Sequence, residues 1–84
     1  MRSERGSVTA EFAPDPANPG DHLVVTLAWY RGSRFEIMIE KEIDPRTTSR
    51  VTLEAYVPEP GGWVGVLTRT GSARHRVRVT DWHR

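Results

Sequence analysis

Few side chains in this sequence could do covalent or metal chemistry: His22, His75, His83, Asp81, Ser72 and Glu36. None stands in a pattern that chemistry needs. There is no Gly-x-Ser-x-Gly elbow, no His-Glu-x-x-His and no glycine loop that would cradle a phosphate. Asp81-x-His83 puts two potential ligands on one face of an extended segment, with His75 or His22 to supply a third. His83 lies where chains fray, so the histidines read as solvated. The chain holds no cysteine, which excludes a disulfide scaffold and thiolate chemistry. The expectation is a protein that is not an enzyme, with no cofactor and no metal.

Charge offers a second chemistry. Arg74, Arg76 and Arg78 recur at period two, a row about 6–7 Å apart on one strand face. Trp82 shares their parity and would offer a stacking surface for single-stranded nucleic acid. Against this, Glu36, Glu40, Glu42, Asp44, Glu54 and Glu59 make the middle of the chain acidic, and the net charge is only +1. That balance is not a general phosphate-binding footprint. A basic last strand also serves as an edge protected by charge. Nucleic acid is therefore the lesser expectation for a partner.

The elements that must position these groups are strands. Val8–Phe12 alternates, with Val8, Ala10 and Phe12 on one face. Pro14 to Asp21 contains three prolines, which forbid helix and ladder alike. His22–Tyr30 has a heavy face of Leu23, Val25, Leu27 and Trp29 and a light one of Val24, Thr26 and Ala28. Arg31-Gly-Ser33 is a hairpin turn with Gly32 at positive φ. Phe35, Ile37 and Ile39 then alternate with Glu36, Met38 and Glu40, and Lys41 on the inward parity marks an end or a bulge. Asp44–Ser49 is a turn, and Val51, Leu53, Ala55 and Val57 form the next inward face.

The stretch around which the rest is organised is Tyr56 to Arg69. Pro58 and Pro60 lack the N–H that a ladder needs, and Gly61 and Gly62 take positive φ cheaply, so the segment is a corner between strands. Trp63, Gly65 and Leu67 are expected inward after it, with Trp63 plugging the end of the core. Trp63–Arg69 and Arg74–Trp82 are expected to form the last hairpin. Val77 and Val79 complete the expected core. No window carries apolar residues at i, i+3, i+4 and i+7, so almost no helix is expected.

These elements predict one all-β domain over residues 7–84, preceded by a flexible start at residues 1–6. With 37% hydrophobic residues the chain is not a disordered composition. No apolar run approaches the roughly 20 residues of a membrane-spanning helix, and the first residues lack a signal peptide's apolar core. A cytoplasmic protein without a membrane partner is the expectation. Eleven arginines against one lysine fit a GC-rich bacterial genome.

Asn18-Pro-Gly-Asp-His-Leu-Val-Val-Thr-Leu27 resembles the turn into the second strand of bacterial immunoglobulin-like and fibronectin-type sandwiches. Val51 to Leu67 resembles their E-strand, corner and F-strand, and Arg76–Thr80 would close the sheet as strand G. The chain lacks the family's inter-sheet cysteine pair, and Phe35 stands where the third strand would carry tryptophan. The resemblance implies a small antiparallel β-sandwich of six to seven strands, with a small β-barrel as the alternative. It also implies that F lies between C and G in one sheet. The outer face of that sheet would carry Glu36, Met38 and Glu40, then Val64 and Val66, then Arg76, Arg78 and Thr80. An apolar strip between an acidic and a basic row has the composition of an interface. The expected function is a protein–protein interaction module, binding a partner or a second copy through that face. The alternative is a nucleic-acid-binding barrel using Arg74, Arg76, Arg78 and Trp82.

Overall fold

The computed structural model describes residues 5–83. Six antiparallel strands run β1 (Arg5–Ala13), β2 (Leu23–Arg31), β3 (Arg34–Ile43), β4 (Arg50–Tyr56), β5 (Trp63–Thr70) and β6 (Arg76–Val79). They form two three-stranded sheets, ordered β4-β1-β6 and β3-β2-β5. No helix occurs among the described residues, and none there is long and apolar enough to cross a membrane. The period-two patterning of the sequence thus becomes a small all-β fold of two layers.

The inner faces meet over Val8, Ala10 and Phe12 of β1, Leu23, Val25 and Leu27 of β2, Ile43 of β3 and Leu53 of β4. Each large side chain buried here is worth about 1.5–3 kcal/mol before ordering entropy. Val51, Ala55 and Val77 pack against the same cluster from the edges. The Asp44 turn closes on itself: its carboxylate accepts from the Arg46 N–H at 3.0 Å, and its carbonyl accepts from the Thr48 N–H at 3.0 Å.

Three expectations about position need correction. Strand β1 begins earlier than Val8, because Arg5 and Gly6 pair with Tyr56 and Ala55. The flexible start therefore does not extend to residues 5 and 6, and residues 1–4 lie outside the described residues. The second concerns the last two strands, which are not a hairpin. Strand β6 pairs with β1 through Ala10↔Val79 and Phe12↔Val77, while β5 pairs only with β2. The cause lies in the connection between β1 and β2. There the Asp15 and Asp21 carboxylates accept from the Arg74 and Ala73 N–H groups, both at 2.9 Å, and draw the chain across to the other sheet.

The third correction is one of register, and it decides which residues face solvent. Gly32-Ser33 is a two-residue hairpin loop with Arg31 opposite Arg34, and Gly32 has φ +59°. This turn sets Tyr30 against Phe35 and Trp29 against Glu36. With Trp29 buried, Phe35 must point outward. A bulge then falls at Met38, because Leu27 pairs with Ile39 while Ala28 pairs with Ile37. The extra residue returns Ile39 and Ile43 to the inner side. On β5, Leu27↔Val66 and Trp29↔Val64 put the valines inward, so Trp63, Gly65 and Leu67 face out. Trp63 does not plug the core. Trp29 does: it is buried beneath the corner and donates its indole N–H to the Gly61 carbonyl at 2.9 Å.

Candidate interaction face

Of the side chains expected inward, Phe35, Ile37, Trp63 and Leu67 are instead exposed on the outer face of β3-β2-β5, while Val79, on the edge strand β6 of the other sheet, is exposed as well. Phe35, Ile37, Trp63, Leu67 and their neighbour Tyr30 are 54%, 57%, 71%, 52% and 42% exposed. From the area an aromatic side chain presents, these five leave on the order of 500 Å² of largely apolar surface to solvent. That is at the upper end of what a monomer's largest patch shows.

The ladders order this face into four cross-strand rows. The first is Phe35–Tyr30–Trp63 and the second Ile37–Ala28–Gly65. The third is Glu40–Thr26–Leu67 and the fourth Glu42–Val24–Arg69. The face is thus aromatic at one end and charged at the other. Its middle column, Val24, Thr26 and Ala28, is buried by the flanking side chains. The Thr26 hydroxyl donates to Glu40 Oε2 at 2.7 Å, and Arg69 Nη2 stands 3.5 Å from the other Glu40 oxygen. Gly65 leaves a gap in the second row, and the Tyr30 ring leans over its rim, 3.4 Å from where a Cβ would stand.

Charge clasps fix the aromatic end. Glu59 of the corner accepts from Arg34 at 3.0 Å and from Arg31 at 2.9 Å, and Arg34 first, then Arg31, holds the Glu59 carboxyl below the usual carboxylate range. The Arg34 guanidinium also lies 5.1 Å from the centroid of the Trp29 ring, a cation–π contact that ties the hairpin to the core. At the other end of the sandwich, His75 joins two loops. Its Nδ1 accepts from the Asp15 N–H at 2.9 Å, which leaves the proton on Nε2 to donate to the Asp21 carbonyl at 2.9 Å.

The expected interface does not assemble as one surface. Glu36 pairs with Trp29 on the opposite side of β3 from the patch and bonds Arg34 at 3.4 Å. Met38, Val64 and Val66 are half-buried against the core. Arg76 and Arg78 stand on the other sheet opposite Ala13 and Glu11, and Thr80 exchanges hydrogen bonds with Thr9 there. Only Glu40 of the expected set is on the exposed apolar face. For the alternative set, Arg76 and Arg78 do form an outward pair and Arg74 precedes them in the loop. Trp82, however, is half-buried against the core and packs under Gly6, where a Cβ would come within 2.3 Å of its ring. It is not a stacking platform beside those arginines.

Among the remaining reactive side chains, His22 Nδ1 lies 3.2 Å from Asp21, Ser72 and Asp81 are exposed, and His83 pairs with Ser7. No group of three or more His, Cys, Asp or Glu residues that could hold a metal occurs among the described residues. The signal that would have revealed the patch is the two-residue turn at Gly32-Ser33: it alone puts Phe35 on the side opposite Trp29. Comparison with known protein families, with curated proteins and with solved structures finds no match to this chain.

Proposed function

We propose that the protein is a non-enzymatic interaction module that pairs with a second copy of itself through the outer face of β3-β2-β5. The observation that carries this reading is the self-complementarity of the first, second and fourth rows. A two-fold axis along β2 lays β3 of one copy over β5 of the other and keeps each row at its own level. Phe35 then meets Trp63, and Ile37 falls over the gap at Gly65. Glu42 meets Arg69. A two-fold axis across the strands would instead set the aromatic end on the charged end, with nothing to match either.

The areas agree with this arrangement. The apolar patch and the stems of Glu40, Glu42 and Arg69 would bury roughly 1,200 Å² in total over two copies, above the threshold of a specific contact. Aromatic anchors at the centre carry affinity in such interfaces, and charges at the rim set register.

The test uses charge exchange. In sedimentation velocity over a wide concentration range, the wild type should form a dimer. Glu42→Arg and Arg69→Glu should each weaken it, and an equimolar mixture of the two variants should recover association as a mixed pair. A wild type that stays monomeric throughout, or variants whose mixture does not recover, overturns the two-fold pairing.

A further inference from the structure

We infer that the outer edge of β5 is a second contact site, at which two copies join their β3-β2-β5 sheets edge to edge by antiparallel pairing of β5 with β5. A sheet edge is a template for such pairing, because alternate N–H and C=O groups along it have no ladder partner. Strand β5 bonds β2 on one side only, and no other backbone hydrogen bond engages residues 63–69 among the described residues.

The other three edges each carry a device that blocks pairing. Strand β3 is bulged at Met38 and charged at Glu36, Glu40, Lys41 and Glu42. Strand β4 carries Arg50 and Glu54, and β6 is only four residues long, two of them Arg76 and Arg78. Strand β5 has none of these. Its eight residues pair with β2 without a bulge, contain no proline and hold no charge before Arg69.

The occupant that fits this edge is the same strand of a second copy. Residues opposite each other across a ladder point to the same side, so antiparallel self-pairing must turn about a residue. Centred on Val66, it sets Val66 against Val66, Val64 against Thr68, Leu67 against Gly65 and Trp63 against Arg69. Large then meets small, and a guanidinium stands beside an indole on each copy. Centred on Leu67, it would set Arg69 against Gly65 and leave Trp63 beyond the end of the ladder. The Val66 axis also turns Asp81, beside Trp63 and Val64, toward the end of the second copy that carries Arg74 and Arg76. All three are exposed and make no ion pair among the described residues. The contact lies in the plane of the sheet and goes beyond face-to-face pairing, on which it does not depend. A single strand is well short of the roughly 20–30 residues a side of a standard interface, so this contact is the weak kind.

The test reads the edge apart from the face by working in Glu42→Arg, which weakens face pairing under the preceding reading. Thr68 is on the inner parity opposite Val25 yet exposed. Thr68→Lys therefore sets a charge against Val64 of the second copy without touching the outer face. In sedimentation velocity, Glu42→Arg should still form a dimer at high concentration. Adding Thr68→Lys should raise the concentration required at least about tenfold, with an unchanged thermal midpoint. In hydrogen exchange, the β5 amides not bonded to β2 should slow at least about tenfold as Glu42→Arg associates, and those of the double variant should not. Slowing in Glu42→Arg, with Thr68→Lys alone monomeric, would uphold the edge and overturn the face. If Glu42→Arg stays monomeric, its edge amides do not slow, or Thr68→Lys changes nothing, the β5 edge is not a contact.

Discussion

The two outer faces of this sandwich have the same layout, a central strand flanked by two edges, and opposite chemistry. On β4-β1-β6 charged and hydroxyl side chains pair across the ladder. Arg5 bonds Glu54, the Thr9 and Thr52 hydroxyls meet at 3.1 Å, and Glu11 stands between Arg50 at 3.4 Å and Arg78 at 3.7 Å. On β3-β2-β5 half of the face presents aromatic and aliphatic side chains to solvent. The contrast teaches that exposure alone does not mark a site. One face closes its polar groups on one another, whereas the other leaves large apolar groups uncovered.

The two tryptophans of this sheet separate the inner face from the outer one most sharply. Trp29→Ala should cost about 3–5 kcal/mol in a denaturant titration, enough to unfold a marginal domain. Trp63→Ala should change stability by less than about 1 kcal/mol, because most of its surface is already in water. Equal losses at both positions would mean that the outer face is not a separate surface.

The adjacent pair Val66 and Leu67 sharpens the same boundary. Val66→Asp puts a carboxylate against the inner cluster and should cost about 2–3 kcal/mol. Leu67→Asp, one residue on, should be nearly neutral for folding, within about 0.5 kcal/mol, while reducing association. If urea midpoints reverse that order, β5 has the opposite register.

Acid acts on the loops that hold the two sheets together. The Arg74 N–H first, then that of Ala17, holds Asp15 below its ordinary value, and the Ala73 N–H does so chiefly for Asp21. A carboxyl depressed in the folded state contributes stability that is complete above the unfolded value and is lost as pH falls through the folded one. These loops should therefore be insensitive to pH above about 5 and loosen below about 4. In thermal melts taken from about pH 5 down to about pH 2, Asp15→Asn with Asp21→Asn should flatten the acid dependence. A slope as steep as wild type would assign acid lability elsewhere.

Much of this fold was legible in the alternation of residues. The all-β class, the positive φ of Gly32, Gly61 and Gly62, and the inward faces of β1, β2 and β4 follow from local pattern. What was not legible is relative register. In β3 both alternating sets are partly apolar, so parity alone favours Phe35 inward, and only the hairpin turn and the Met38 bulge overrule it. In β5 the candidates Trp63, Gly65 and Leu67 compete with Val64 and Val66, and hydrophobicity favours the heavier set. Pairing with β2 decides for the valines. The errors in β3 and β5 converge on one face because an exposed apolar face shows the same residues as a core. The crossing of β6 to β1 rests on hydrogen bonds between loops 59 and 52 residues apart in sequence, which no local pattern encodes.

The smallest expected effect lies on the polar face. Glu11 has two exposed arginine partners, so removing one leaves the other in place. Each pair is screened by water and should be worth about 0.2–1 kcal/mol. Arg50→Ala or Arg78→Ala should accordingly cost less than about 0.5 kcal/mol, and the double variant slightly more than the sum, because Glu11 then loses its last partner. Added salt should shrink these differences further. Association should not respond at all, since none of the three residues is on β3-β2-β5. A double-mutant cycle read by chemical denaturation, run beside sedimentation of the same variants, measures both quantities at once. A loss of pairing on removing Arg50 or Arg78 would place the contact on the charged face, and the contrast between the two faces would have to be reversed.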